Sequence, residues 1–160
     1  MGTRCLTRVF DGDQEIACIY RHYDGYPDGM GHDLAGWLDG KRVVNGYSSA
    51  AKLPREMRLN GPGRVAAFLV SALFDHGNDP EIMPPGTSNI GEDYEYHVKC
   101  PDLGMIDSLK PDNYDGLPIV LECFEVRGGY AGKPRTVNRV EIPPRESPLA
   151  SADTKTGGTQ

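Results

Sequence analysis

A strong β-hairpin signal near the start of the chain constrains the fold more than any other feature of the sequence. Residues Thr3–Phe10 and Glu15–Tyr23 are rich in β-branched and aromatic side chains, a composition typical of strands. The segment Asp11–Gln14 between them supplies turn residues, and its Asp-Gly pair is a good short-range hairpin signal. The sequence therefore predicts a hairpin whose second strand leads directly into a Gly-rich segment.

Two helices are predicted after this hairpin. The longer covers Pro62–Asp75, where apolar residues recur at helical spacing, with Asn60 as its expected N-cap. The shorter covers His32–Asp39 and ends before Gly40, a plausible helix stop. Both helices have an apolar face, so we expect them to pack on the sheet.

The rest of the chain adds strands and a tail. Strands are predicted at Asp93–Cys100 and Leu117–Val126, and short extended pieces at Lys41–Tyr47 and Pro80–Thr87. The predicted fold class is α+β, an antiparallel sheet of four to five strands with one long and one short helix packed on it. Residues 1–130 are expected to form a single domain. Residues 131–160 are expected to form an extended, partly disordered tail, with disorder over roughly 145–160.

Composition limits the classes of function. The 160 residues suit one domain, and the net charge of −6 argues against binding to a nucleic-acid backbone. No stretch approaches 18 apolar residues, so we expect a cytoplasmic protein without membrane contact. The four cysteines are widely spaced without a C-x-x-C pair, so buried free thiols are expected and a zinc site is not. Cys5 and Cys18 could cross-link on oxidation if they face each other across the hairpin.

The segment Tyr20–His32 concentrates the side chains that could carry chemistry. It holds three Tyr, two His, two Asp, one Arg and three Gly in thirteen residues. One interpretation is a well-ordered turn in which aspartates cap backbone N–H groups. A second is ligand contact, since Arg21 suits a phosphate, Tyr23 and Tyr26 suit stacking, and Asp24 can orient the loop or accept a hydrogen bond from the ligand. The candidate ligand-binding residues are Arg21, Tyr23, Asp24, Tyr26, His32, Tyr94 and Tyr96.

A catalytic interpretation of the same segment is weaker. His22 and His32 could act as general acid and base, but their ten-residue spacing is not a metal motif, and no metal or cofactor is expected. A second candidate pair, Glu95 and His97, shares one face of a predicted strand. The simpler interpretation of that strand is that its tyrosine face packs while its charged face is solvated.

The hairpin and the segment after it resemble a family of small bacterial and bacteriophage proteins that has no assigned activity. The resemblance rests on the pattern Tyr-Arg-x-(Phe/Tyr)-Asp-Gly-Tyr-Pro-x-Gly-x-Gly, matched from Tyr20 to Gly31, and more loosely on residues 85–96. It covers residues 3 to about 126 and implies a shared fold. Because small phage proteins include counter-defence factors, the resemblance also implies capture of a nucleotide immune signal, in the host cytoplasm if a phage encodes the protein.

These observations predict a binding module for a small anionic, nucleotide-like ligand. Two alternatives stay open, a metal-independent hydrolase or phosphodiesterase that cleaves such a ligand, and a protein-interaction module. Homo-oligomerisation would be natural for the binding module, since pockets often lie between subunits.

Overall fold

The computed structural model describes residues 2–46, 53–77, 79–102, 117–127 and 135–142. A π-helical turn, Pro27–Gly31, precedes the first helix, and a 3-10 turn, Arg55–Met57, precedes β4. The strands and helices in chain order are β1 (Cys5–Asp11), β2 (Gln14–Arg21), α1 (His32–Leu38), β3 (Arg42–Val44), β4 (Arg58–Asn60), α2 (Pro62–Asp75), β5 (Glu81–Met83), β6 (Tyr94–Cys100), β7 (Leu117–Pro118), β8 (Val120–Arg127) and β9 (Thr136–Val140).

The main sheet has six strands in the order β5-β2-β1-β6-β8-β9. Strands β1 and β6 are parallel, and the other neighbouring pairs are antiparallel. The α+β class is confirmed, but the predicted antiparallel sheet of four to five strands is wrong in strand number and in direction. The chain passes through both helices before β6 joins β1, and such a long crossover permits parallel pairing. Strand β9 lies within the predicted tail, while the predicted disorder of residues 145–160 falls outside the described residues.

The predicted hairpin is confirmed as β1 and β2. Its register pairs Cys5 with Arg21 and Arg8 with Cys18. Successive residues of a strand point to opposite faces, so Cys5 and Cys18 lie on opposite faces of the sheet. They therefore do not face each other across the hairpin. All four cysteines are buried free thiols, as predicted.

Both helices pack on one face of the main sheet, hereafter the helix-covered face. Helix α2 has the predicted bounds and buries Val65, Leu69 and Leu73 completely. Its N-cap is Gly61 rather than the predicted Asn60, whose Oδ1 instead accepts a hydrogen bond from the Gly46 amide at 2.8 Å. This core positions the segment Tyr20–His32 by fixing the strand before it and the helix after it.

A second, three-stranded sheet has the order β4-β3-β7. Val43 on β3 pairs with Leu59 on β4, and both side chains belong to the same core as the helices. None of the helices in the described part of the chain is long and apolar enough to cross a bilayer.

Candidate functional site

Backbone hydrogen bonds fasten the segment Tyr20–His32 to the sheet. The Gly25 amide donates to the Thr3 carbonyl at 2.9 Å, and the Met30 amide donates to the Asp24 carbonyl at 3.1 Å. The Tyr96 hydroxyl, buried under the segment, donates to the Gly25 carbonyl at 2.9 Å. The segment is thus held from the residues just before β1, from β6 and from within its own turn.

Two glycines of the segment are required by close packing. A Cβ on Gly25 would lie 2.8 Å from the Arg4 carbonyl carbon, and a Cβ on Gly29 would lie 2.6 Å from the Asp24 carbonyl oxygen. Asp24 itself has a φ of 54°, a left-handed conformation that Asp adopts more readily than most residues. The Gly-rich composition of the segment therefore serves its compact backbone.

Arg21 points into the protein rather than into solvent. It is only 6% exposed, and its Nη1 lies 3.1 Å from the Met30 sulfur and 3.5 Å from an Asp33 carboxylate oxygen. Its buried Nε–H has no acceptor among the described residues. In this conformation Arg21 neutralises Asp33 and cannot reach a ligand at the surface.

The outer surface of the segment is aromatic and acidic. Tyr23 is 62% exposed and Tyr26 is 41% exposed, and Asp24 and Asp28 are exposed beside them. His22 is also exposed, and its ring lies 4.7 Å from the Tyr23 ring in an edge-on arrangement. We call the surface formed by these five residues the tyrosine rim.

The remaining predicted ligand-binding residues lie apart from this rim. Tyr96 is fully buried, and Tyr94 packs against the core on the helix-covered face. His32 is partly buried at the start of α1. The structure thus places Tyr23, Asp24 and Tyr26 at the surface, whereas the other four candidates are buried or partly buried.

His22, one of the two candidate catalytic histidines, lies beside a tyrosine hydroxyl at the end of β2. His22 Nδ1 lies 3.0 Å from the Tyr20 hydroxyl, which orients its ring along the end of β2. No three His, Cys, Asp or Glu residues in the described part of the chain lie close enough to hold a metal ion.

An ionic network that the sequence did not reveal lies on the opposite face of the main sheet. Arg8 contacts Glu95 at 2.5 Å and Glu15 at 3.0 Å, and Arg135 contacts both Glu95 and Glu92. The Arg8 and Glu95 side chains are almost fully buried. The charged face of β6 is therefore not solvated as predicted, because segments distant in sequence cover it.

The pKa of Glu95 indicates that this ionic network has a structural role rather than a catalytic one. Burial alone would raise the pKa of Glu95, but hydrogen bonds from His97 and Arg8 and the charges of Arg8 and Arg135 lower it to about 2. A carboxylate held so strongly in its charged form is a poor general base near neutral pH. The candidate pair Glu95–His97 is thus better suited to structure than to proton transfer.

The cysteines are equally unsuited to nucleophilic chemistry. Burial raises the pKa of Cys5 and Cys100 to about 12, and that of Cys18 and Cys123 to about 11. Thiolate is the reactive form, so such thiols are inert at neutral pH.

No protein-family description, curated protein or solved structure matches this chain. The resemblance to bacterial and bacteriophage proteins therefore stays a prediction from the sequence.

Proposed function

We propose that this chain is a protein-binding module whose contact surface is the tyrosine rim. The observation that carries the proposal is the exposure of Tyr23 and Tyr26 on a backbone that is held by hydrogen bonds and close packing. Tyrosine is enriched among the residues that dominate binding energy in interfaces. A rigid segment presents such side chains at a low cost in entropy.

The chemistry of the rim favours a basic partner. Asp24 and Asp28 surround the two tyrosines, while the arginine of the same segment is buried against Asp33. A lysine or arginine of the partner can lie over a tyrosine ring and pair with a neighbouring carboxylate. The net charge of −6 adds long-range attraction for such a partner, which salt should weaken.

Affinity capture from extracts of the source cells tests this proposal. The wild type should retain a basic protein that the double variant Tyr23→Ala/Tyr26→Ala loses. The matched control is Phe74→Ala, which removes an aromatic side chain that is 59% exposed on α2. Asp24→Asn/Asp28→Asn should weaken capture, as should added salt. A set of captured proteins that is identical for all variants would contradict the proposal.

A small nucleotide-like ligand is the second candidate, because the exposed rings of Tyr23 and Tyr26 could stack on a base. Binding of its phosphate by Arg21 would first require Arg21 to leave Asp33 and Met30. In a bacteriophage this function would sequester a nucleotide immune signal. The expected result is a raised melting midpoint with a nucleotide or cyclic dinucleotide that Tyr23→Ala abolishes. Recovery of intact ligand after denaturation separates binding from the alternative of hydrolysis, and a panel without any stabilising nucleotide would remove this candidate.

A further inference from the structure

A groove of about 400 Å³ lies where the end of α1 meets β7 and the beginning of β8. Its apolar wall is formed by Leu38 of α1, by Leu121 of β8 and by Ile119, which lies between β7 and β8. Pockets for small organic molecules begin at about 300 Å³, so the groove has room for a compact ligand. It belongs to a different part of the molecule from the tyrosine rim.

Arg42 lines this groove and is a cation without a counter-ion among the described residues. Its side chain is partly buried, and it makes no ion pair or side-chain hydrogen bond with any residue that the structure describes. The parallel register of β3 and β4 places Arg58 directly beside it. The guanidinium of Arg58 donates through Nε and Nη2 to the Leu53 carbonyl, so Arg42 is the arginine of this pair that is available to an anion.

Among the described residues that line the groove, Arg42 is the cation available to a ligand. The other two charged residues are an engaged lysine and a carboxylate. Lys41 donates to the Glu56 carbonyl at 2.6 Å, and its Nζ lies 4.9 Å from the centre of the Phe68 ring. The ammonium of Lys41 is therefore already engaged beside the groove. Asp39 is an exposed carboxylate at the edge of the groove and opposes anion binding. With Lys41 and Arg42 against Asp39, the described lining still carries a net positive charge.

We propose that this groove binds a small organic anion, a carboxylate or phosphate group carried on a compact apolar body. The planar guanidinium of Arg42 matches either anionic group with two parallel hydrogen bonds. The apolar body lies against Leu38, Ile119 and Leu121. This inference is independent of the protein-binding function proposed for the tyrosine rim.

Titration of the ¹⁵N-labelled protein with phenyl phosphate and with benzoate tests the site. Amide signals of residues 38–42 and 119–121 should shift with one or both probes, and the stronger probe identifies the preferred anionic group. Inorganic phosphate and benzyl alcohol, which carry only the charge or only the ring, should each shift these signals less. An absence of shifts at these residues with both aromatic anions would overturn the proposal.

Two variants show whether the shifts report the proposed contacts. Arg42→Gln should weaken binding by about tenfold, because it removes a charged hydrogen-bond donor. Arg64→Gln, at an exposed position on α2, makes the same charge change and should leave binding as in the wild type. Ala35→Leu should also weaken binding, since this exposed residue of α1 lines the groove and the larger side chain occupies its space. Equal affinity for Arg42→Gln and Arg64→Gln would refute the site.

Discussion

Arg21 and Arg42 lie in two regions of the molecule that differ in two respects. One is the density of reactive residue types in the local sequence, and the other is the accessibility of the arginine side chain. Arg21 lies in the segment where aromatic, acidic and glycine residues are densest, yet it is buried between Asp33 and Met30. Arg42 belongs to no recognisable motif, yet it lines an open groove without an ionic partner in the described part of the chain. A dense cluster of reactive residue types therefore does not by itself indicate an accessible site. Strand alternation and neighbours distant in sequence determine which side chains face solvent.

The same contrast separates the two sides of the segment Tyr20–His32. Arg21 and Met30 hold its inner side, whereas Tyr23 and Tyr26 form its outer side. The inner residues stabilise the fold, so substitutions there should change stability. The outer residues are exposed, so substitutions there should change binding more than stability.

The largest expected effect on stability concerns Glu95, the partner of a second buried arginine, Arg8. The pKa of Glu95 falls from 4.5 to about 2 in the folded protein, which corresponds to about 3 kcal/mol of stabilisation. Because the folded pKa is the lower one, this stabilisation is complete above pH 4.5 and is lost as the pH falls toward 2. Urea unfolding at pH 7 and pH 3 should show a smaller loss of stability for Glu95→Gln than for the wild type. Equal losses would contradict the proposed role of Glu95.

The paired variants Arg21→Met and Arg42→Met test the contrast directly. Arg21→Met should lower the free energy of unfolding by roughly 2 kcal/mol, because it removes the buried guanidinium that contacts Asp33 and Met30. That value is below the usual cost for a fully buried pair, since the Asp33 side chain is 26% exposed. Arg42→Met should change stability by less than about 0.5 kcal/mol. Denaturant unfolding measures both effects. A similar decrease in the free energy of unfolding for the two variants would contradict the proposed difference between Arg21 and Arg42.

Two glycines give a matched comparison of a tight and an open position. Gly25→Ala should destabilise the protein by about 2 kcal/mol, because the new methyl group meets the backbone of Arg4 and Cys5. Gly63→Ala on α2 meets no atom within 4 Å and should stabilise the helix by about 0.5 kcal/mol. Thermal unfolding of the two variants should therefore move the midpoint in opposite directions. An unchanged midpoint for Gly25→Ala would show that the backbone of the segment can shift to accommodate the added methyl group.

Tyr96→Phe should have a smaller effect. It removes the hydrogen bond to the Gly25 carbonyl and should cost about 1 kcal/mol while the ring stays in place. Hydrogen exchange should also become faster at the Gly25 amide, because the segment is held less firmly. Unchanged exchange at this amide would indicate that Tyr96 does not fasten the segment.

Local sequence patterns predicted individual strands and helices, but they predicted little of how these elements pair and pack. The hairpin and both helices follow from turn chemistry and from hydrophobic spacing, and the bounds of α2 were predicted correctly. The parallel pairing of β1 with β6 depends on where the crossover returns, which no local pattern records. Likewise, Arg135 and Glu95 are 40 residues apart, and their ion pair has no local signature.

The sequence located the segment Tyr20–His32 but not the orientation of its side chains. The exposure of Tyr23 and the burial of Tyr96 both depend on how β6 and α1 pack around the segment. The burial of Arg21 depends on Asp33 and Met30, whose positions follow from the π-helical turn. Arg42 has no sequence signature as a site residue. What distinguishes it is that it has no ionic partner among the residues that the structure describes, and this depends on the tertiary structure.

Chemical labelling of arginine tests the central contrast most directly. Phenylglyoxal treatment of the native protein, followed by peptide mapping, measures the reactivity of each arginine separately. The structure predicts that Arg42 reacts much faster than Arg21 and Arg8 in the native protein, and that all three react at similar rates after denaturation. Arg21 reacting as fast as Arg42 in the native protein would show that Arg21 is accessible, and would contradict the contrast between a buried arginine and an available one.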